Sequence, residues 1–295
     1  INPDLIIRIG QKPISKLLCK KIEDWRNKKL DSYKFSCLLI DESGRFNDDS
    51  PTVVKTDYKK FINFIIKNTK ENKNREFYDY ILKLDNQVAS LIKTEKKWSE
   101  LTIAKSCLSS VNDNENFIIG NSMPIRYIEM LGNLGYNQNI HTYSNRGASG
   151  IDGIIATALG VSSSSNNKTT LLIGDLSFIY DQSSLLIAKQ LELNLIIVII
   201  NNNGGGIFSL LPASNTINKK IFNKYWTTSH NLELKTIADL YDCNYKKVTT
   251  IEQLDSTLNK YHKIEGINII DAQTNIQKNK DIIANITKRI KKGIV

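Results

Sequence analysis

Two stretches of this 295-residue chain could do chemistry together: Gly174-Asp175, and the run Asn201-Asn-Asn-Gly-Gly-Gly206. Each follows a short apolar segment, residues 169–173 and 195–200, that reads as a buried β-strand. Asp175 supplies a carboxylate, Asn202 an amide oxygen, and the glycine run a free main-chain carbonyl near Gly204. These are hard oxygen donors of the kind Mg²⁺ takes together with substrate phosphates and water. Gly174 and residues 204–206 allow the backbone to approach a ligand closely. Either stretch alone also fits an ordinary turn after a strand, where Asp and Asn are common. The pairing is what points to a cation and a phosphate.

For the two to meet, the strands must be parallel neighbours with one crossover between them, expected as a helix over residues 181–191. Ligands of open α/β sheets sit beyond the carboxyl ends of the strands. The pattern from about residue 85 onward supports this. Strand-like runs at 116–119, 169–173, 195–200 and 267–271 alternate with helical patterns, which predicts a doubly wound parallel sheet with helices on both faces. The first part reads as strand, turn and helix (4–9, 11–13, 14–25), a strand at 35–40, and amphipathic helices from 58 to 98. The charged run 67–76 is the expected linker. The boundaries expected are therefore 1–75, part of an α/β domain, and 76–295.

Composition narrows the class. The net charge is +10, but the lysines are spread among Asn and Ile without an aromatic-basic stripe, so nucleic acid is not the expected partner. No apolar run approaches the roughly 20 residues that cross a bilayer, and no membrane partner is expected. Cys19, Cys37, Cys107 and Cys243 are scattered, without zinc-ligand or disulfide spacing, and read as reduced thiols. His141, His230 and His262 form no metal-binding pair and are given no role. There is no signal-peptide pattern, and the chain starts on Ile1 rather than Met, which suggests part of a longer polypeptide.

Asp175 and Asn202 in this arrangement resemble the diphosphate-binding motif of thiamine diphosphate enzymes. Longer strings narrow the resemblance: GNSMPIR at 120–126, YSNRGASGIDG at 143–153, GDLSF at 174–178 and NNNGGGIFSLLP at 201–212. In order and spacing they are similar to the 2-succinyl-5-enolpyruvyl-6-hydroxy-3-cyclohexene-1-carboxylate synthase family. Leu176 stands where thiamine diphosphate enzymes usually carry Gly, which speaks against an acetohydroxyacid-synthase-like relative. The match is strong over about 85–212. It is looser toward the C-terminus and back to Arg8 and the PISK turn at 13–16.

The resemblance implies a thiamine diphosphate- and Mg²⁺-dependent enzyme, with Mn²⁺ able to substitute. Such an enzyme decarboxylates 2-oxoglutarate and adds the succinyl carbanion to isochorismate, in menaquinone or phylloquinone synthesis. It implies Asp175, Asn202 and the Gly204 carbonyl as metal ligands. Gly174, Leu176, Ser177, Ile151, Ile207 and Phe208 would lie against the cofactor. Arg126, Arg146, Ser122, Lys16 and Leu211 would contact substrate. It implies a homo-oligomer, dimer or tetramer, in a plastid stroma or bacterial cytoplasm. The Glu that activates the cofactor belongs, in that family, to an N-terminal pyrimidine-binding domain that these residues do not include. No catalytic residue is therefore expected here, and the 295 residues alone are expected to bind cofactor poorly and not to turn over. The opposing reading is a non-catalytic module descended from such an enzyme.

Overall fold

A computed structural model describes residues 3–28, 37–44, 50, 52–70, 75–132 and 139–293. The chain divides into two compact units, Ile1–Tyr80 and Ile81–Val295. The division falls inside the helix Glu76–Thr94, five residues past the expected boundary. Of the expected linker, residues 71–74 lie outside the described residues.

The first unit carries a parallel sheet of β1 (Ile6–Ile9), β2 (Cys37–Ile40) and β3 (Thr52–Val54), in that order. Phe35 and Ser36, expected to begin the second strand, lie outside the described residues. The first helix runs Lys16–Lys28, later than expected, with the Ser15 hydroxyl accepting the Leu18 N–H at 3.3 Å at its start, as a helix-capping serine does. Asp57 caps the helix Tyr58–Asn68 by accepting the Lys60 N–H at 2.8 Å.

The second unit is built on six parallel strands: β4 (Asn116–Ile119), β5 (His141–Tyr143), β6 (Thr169–Gly174), β7 (Leu195–Asn201), β8 (Asn244–Val248) and β9 (Ile267–Gln273). Their order is β5-β4-β6-β7-β9-β8. Every residue of β7 is buried, as expected of a central parallel strand covered on both faces. On one face Ile154, Ile155, Phe178 and Leu185 pack with Leu171, Ile173, Ile197 and Ile199 in a single core cluster. The helix Glu100–Ser110 buries Leu101, Ile103, Ala104 and Cys107. β5 and β8 escape the sequence reading because they are edge strands. HTY is exposed throughout, and NYKKV is mostly polar.

Register places the site. Gly174 lies opposite Ile200, and Asn201 opposite Gln273. The carboxyl ends of β6, β7 and β9 are therefore level at one edge of the sheet. Among the described residues no helix is long and apolar enough to cross a membrane.

Candidate diphosphate and cation site

The chain after β6 turns straight into a helix, Asp175–Asp181, followed by a 3₁₀ turn and the helix Leu185–Gln190. The crossover thus starts six residues before the helix expected from residue 181. Asp175 is its first residue and is 3 % exposed. A carboxylate there lies at the positive end of the helix dipole. Its Oδ1 accepts the Leu176 N–H at 2.7 Å. Its Oδ2 accepts the N–H groups of Asn202 at 3.1 Å and Gly204 at 2.9 Å. One side chain therefore ties the end of β6 to the loop that follows β7.

The three asparagines do three different jobs. Asn201, still in the strand, points into the sheet edge, where its Nδ2 donates to the Asp271 carboxylate at 3.0 Å. Asn203, with φ of 64°, exchanges hydrogen bonds with Asn231 through its Nδ2 and Oδ1, both at 2.8 Å. Asn202 points the other way, and its Nδ2 donates to Glu100 at 2.8 Å. Its Oδ1 is buried and has no hydrogen-bond partner. Buried polar atoms are nearly always paired, so this oxygen marks a place for a ligand.

Asp271 is buried and also accepts the Tyr245 hydroxyl at 2.7 Å. Burial, and then that carboxylate, hold the Tyr245 phenol well above its ordinary pKa. Tyr245→Phe leaves Asp271 with one fewer donor and is expected to cost about 1–3 kcal/mol, read as a lower urea midpoint with unchanged slope.

Gly204 and Gly205 require glycine for reasons internal to the protein. Gly204 has φ of +142°, and a Cβ there would lie 2.3 Å from the Thr227 carbonyl oxygen. A Cβ on Gly205 would lie 2.7 Å from the Phe208 ring. Gly174 is a different case, with the open space that close approach of a ligand would need. Its φ is −82° and nothing lies within 4 Å of an added Cβ, so the fold itself does not demand glycine there. The Gly204 carbonyl accepts the Gly206 N–H at 2.9 Å, which leaves one of its two lone pairs.

The residues fit a cation with a diphosphate: a buried carboxylate, an orphaned amide oxygen and a carbonyl lone pair meet in one loop system. Among the described residues no group of three or more His, Cys, Asp or Glu side chains could hold a metal. The donor set here is mixed, with a single carboxylate, which suits Mg²⁺ bound partly through phosphate and water.

His230, which the sequence reading set aside, is at this site. Its Nδ1 accepts the Leu232 N–H at 3.0 Å, so a neutral ring carries its proton on Nε2, 3.4 Å from Asp175 Oδ2. Glu100 was missed as well. It is 3 % exposed, and burial first, with the Asp175 charge adding, raises its carboxyl above the ordinary range. Neither carries a sequence signal, since a lone His after Ser and a Glu in a helix's first turn are commonplace.

Other expected residues fall into two groups. Arg126 and Arg146 come together at the carboxyl end of β4. The Arg126 guanidinium donates to the Ser122 carbonyl, and that of Arg146 to Asn121 Oδ1 at 3.1 Å. Asn121 in turn donates to the Gly150 carbonyl at 2.8 Å, next to the half-buried Ile151. Burial and then the Arg146 charge lower the Arg126 pKa, so the pair favours an anion. Ser122 itself has φ of 70°, a strained value for a non-glycine residue. A cleft of about 200 Å³ lined by Glu100, Met123, Arg126, Gly206 and Leu210 joins this region to the loop after β7. Ile207 and Leu211 are half-buried and Phe208 is 39 % exposed on the turn Gly206–Leu210 and its continuation. Ser177 is buried and Leu176 half-buried in the helix Asp175–Asp181. Lys16 belongs to the first unit, where with Arg8, Lys12, Lys20 and Glu23 it lines a cleft of about 440 Å³.

Residues 127–272 match the family model described as the thiamine pyrophosphate enzyme, C-terminal TPP binding domain. The chain is 30 % identical to a 2-succinyl-5-enolpyruvyl-6-hydroxy-3-cyclohexene-1-carboxylate synthase of Enterococcus faecalis, over 99 % of this chain and 51 % of that protein. It is 32 % identical to the synthase of the same name from Listeria innocua, over 95 % and 48 %. With that of Bacillus pumilus the identity is 28 %, over 98 % and 50 %. The chain spans about half the length of the curated relatives it matches. With the doubly wound parallel sheet and this family match, residues 127–272 form a thiamine pyrophosphate enzyme C-terminal domain, and the similarity to the curated synthases runs along nearly the whole chain.

Proposed function

We propose that the chain is the diphosphate-binding portion, with part of a middle domain before it, of a 2-succinyl-5-enolpyruvyl-6-hydroxy-3-cyclohexene-1-carboxylate synthase. In this reading residues 1–75 are the middle-domain part and 76–295 the diphosphate domain. Asp175, Asn202 and the Gly204 carbonyl hold Mg²⁺, which Mn²⁺ can replace, and through it the cofactor diphosphate. The observation that carries the reading is Asn202 Oδ1, buried and without a partner, in the loop whose N–H groups Asp175 gathers.

Thiamine diphosphate, when bound, supplies the electron sink that decarboxylation of a 2-oxo acid needs. The chain's own residues bind and orient. Arg126 and Arg146 present two guanidinium forks, which suit carboxylates. The substrates in this reading, 2-oxoglutarate and isochorismate, are both carboxylates. Ser122 offers a hydroxyl to substrate. Ile151, Ile207, Phe208 and Leu211 give apolar surface that supports the cofactor and excludes water. Leu176 and Ser177, in the first turn of the helix Asp175–Asp181, would flank the diphosphate, with the Leu176 N–H already given to Asp175. The product would enter menaquinone or phylloquinone synthesis, in a plastid stroma or bacterial cytoplasm, and the enzyme would be a homodimer or homotetramer.

The test uses the full-length protein with 2-oxoglutarate, isochorismate, thiamine diphosphate and Mg²⁺, following CO₂ release and isochorismate loss together. Both are expected, in equal amounts. CO₂ without isochorismate loss refutes the acceptor, and neither event despite cofactor binding refutes the synthase reading.

A further inference from the structure

Glu100 is 3 % exposed at the edge of the cleft it shares with Arg126, and among the described residues no cation pairs with it. Three neutral donors hold it instead. Its Oε1 accepts the side-chain amides of Asn202 at 2.8 Å and Asn279 at 2.7 Å, and its Oε2 accepts the Tyr127 hydroxyl at 3.0 Å. The residue is anchored from behind. Its own N–H donates to Asn279 Oδ1 at 2.9 Å, and Ser99 and Thr102 form a capping box around the same helical turn. A buried carboxylate without a cationic partner is costly, so a fold that keeps one has placed it for a contact that an apolar residue could not make.

We infer that Glu100 is a positioning residue of the cation clamp, fixing the Asn202 amide so that Oδ1, and not Nδ2, is offered to the cation. The inference rests on the clamp reading above. A carboxylate oxygen can only accept, so it selects Nδ2 and leaves Oδ1 on the other branch of the amide. Turning the amide over would set two acceptors against each other at Glu100 and present N–H groups to a cation. The selection does not depend on the charge of Glu100. Oε1 is held by two amide donors, and a proton on the acid would sit on Oε2, where the Tyr127 hydroxyl can accept as well as donate. Gly206 closes the amide in from another side, because a Cβ at that position would lie 2.5 Å from Asn202 Nδ2. Groups that orient a metal ligand from behind in this way typically change metal affinity by about 10–100-fold when removed.

The rival explanation is that Glu100 only ties together its own helix, the helix Met123–Leu131 through Tyr127, and the helix Ile276–Gly293 through Asn279. Three substitutions separate the two. Glu100→Ala removes the acceptor. Glu100→Gln removes the charge but keeps an oxygen within reach of Asn202. Glu100→Asp keeps the charge but withdraws it by one methylene.

In the full-length protein, Mn²⁺ affinity would be measured by electron paramagnetic resonance in the presence of thiamine diphosphate, alongside the melting midpoint of the metal-free protein. Wild type and Asp175→Ala calibrate the experiment. If wild type binds no Mn²⁺, or Asp175→Ala binds it equally well, the clamp reading itself has failed. With the clamp established, Glu100→Ala and Glu100→Asp are expected to weaken Mn²⁺ binding about 10–100-fold, and Glu100→Gln to restore most of it. Affinity that follows charge, with the Asp variant like wild type and the Gln variant like Ala, overturns the inference. So does wild-type affinity in Glu100→Ala. If Glu100→Ala fails to fold, the comparison of Gln with Asp decides alone. Losses that merely track the metal-free melting midpoint across the series favour the structural tie and overturn the inference.

Discussion

Asp175→Ala is expected to abolish CO₂ release by the full-length protein and to raise the Kd for Mg²⁺–thiamine diphosphate at least about 100-fold, which is roughly 3 kcal/mol. Two losses coincide in that variant. The proposed cation loses its only carboxylate ligand from this chain. The N–H groups of Leu176, Asn202 and Gly204 also lose the oxygens that gather them, and an abandoned buried donor costs about 1–3 kcal/mol. Asp175→Asn separates these effects. Its amide oxygen still accepts, so more of the loop geometry survives, but the charge is gone and affinity remains low. Isothermal titration with the cofactor and Mg²⁺ reads the first effect, and the melting midpoint without cofactor reads the second. Wild-type affinity in Asp175→Ala would remove the clamp from the proposal.

Gly204→Ala should be nearly as damaging although it deletes no functional group. The added methyl would stand 2.3 Å from the Thr227 carbonyl, on a residue whose φ of +142° is itself foreign to alanine. The loop must open, and the Gly204 N–H then leaves Asp175. A stability loss of about 2–4 kcal/mol is expected from backbone strain and clash together. For a unit of this size that corresponds to a melting midpoint lower by roughly 4–16 °C. Gly174→Ala is the control. With φ of −82° and open space at Cβ it should melt like wild type, so any fall in cofactor affinity there reports the space a bound ligand needs. Equal melting of Gly204→Ala and wild type would show that the loop is not held as described.

The central strands and the parallel order of the second unit were legible because apolar runs such as 195–200 can be satisfied only by burial on both faces. The meeting of Asp175 with the Asn201–Gly206 loop was legible for the same reason, since two neighbouring parallel strands with one crossover must end at the same edge. Edge strands β5 and β8 were not, because one side of each meets solvent and their composition is that of a loop. The start of the crossover helix at Asp175 was hidden too, as nothing in GDLSF marks the strand and helix as directly fused.

The sequence by itself determined the sheet, the sheet edge that carries the candidate ligands, and the oxygen-donor character of Asp175 and Asn202, since these depend on local pattern and residue type. Only the tertiary structure decided which partners Asn201 and Asn203 take instead, that Gly204 must be glycine while Gly174 need not, and that His230 and Glu100 lie beside Asp175 and Asn202. Each of those depends on a partner distant in sequence: Asp271 for Asn201, the Thr227 carbonyl for Gly204, Asp175 for His230, and Asn279 and Tyr127 for Glu100. A single sequence records the identity of such partners but not their proximity, and proximity sets the direction of a hydrogen bond and the space left for a side chain.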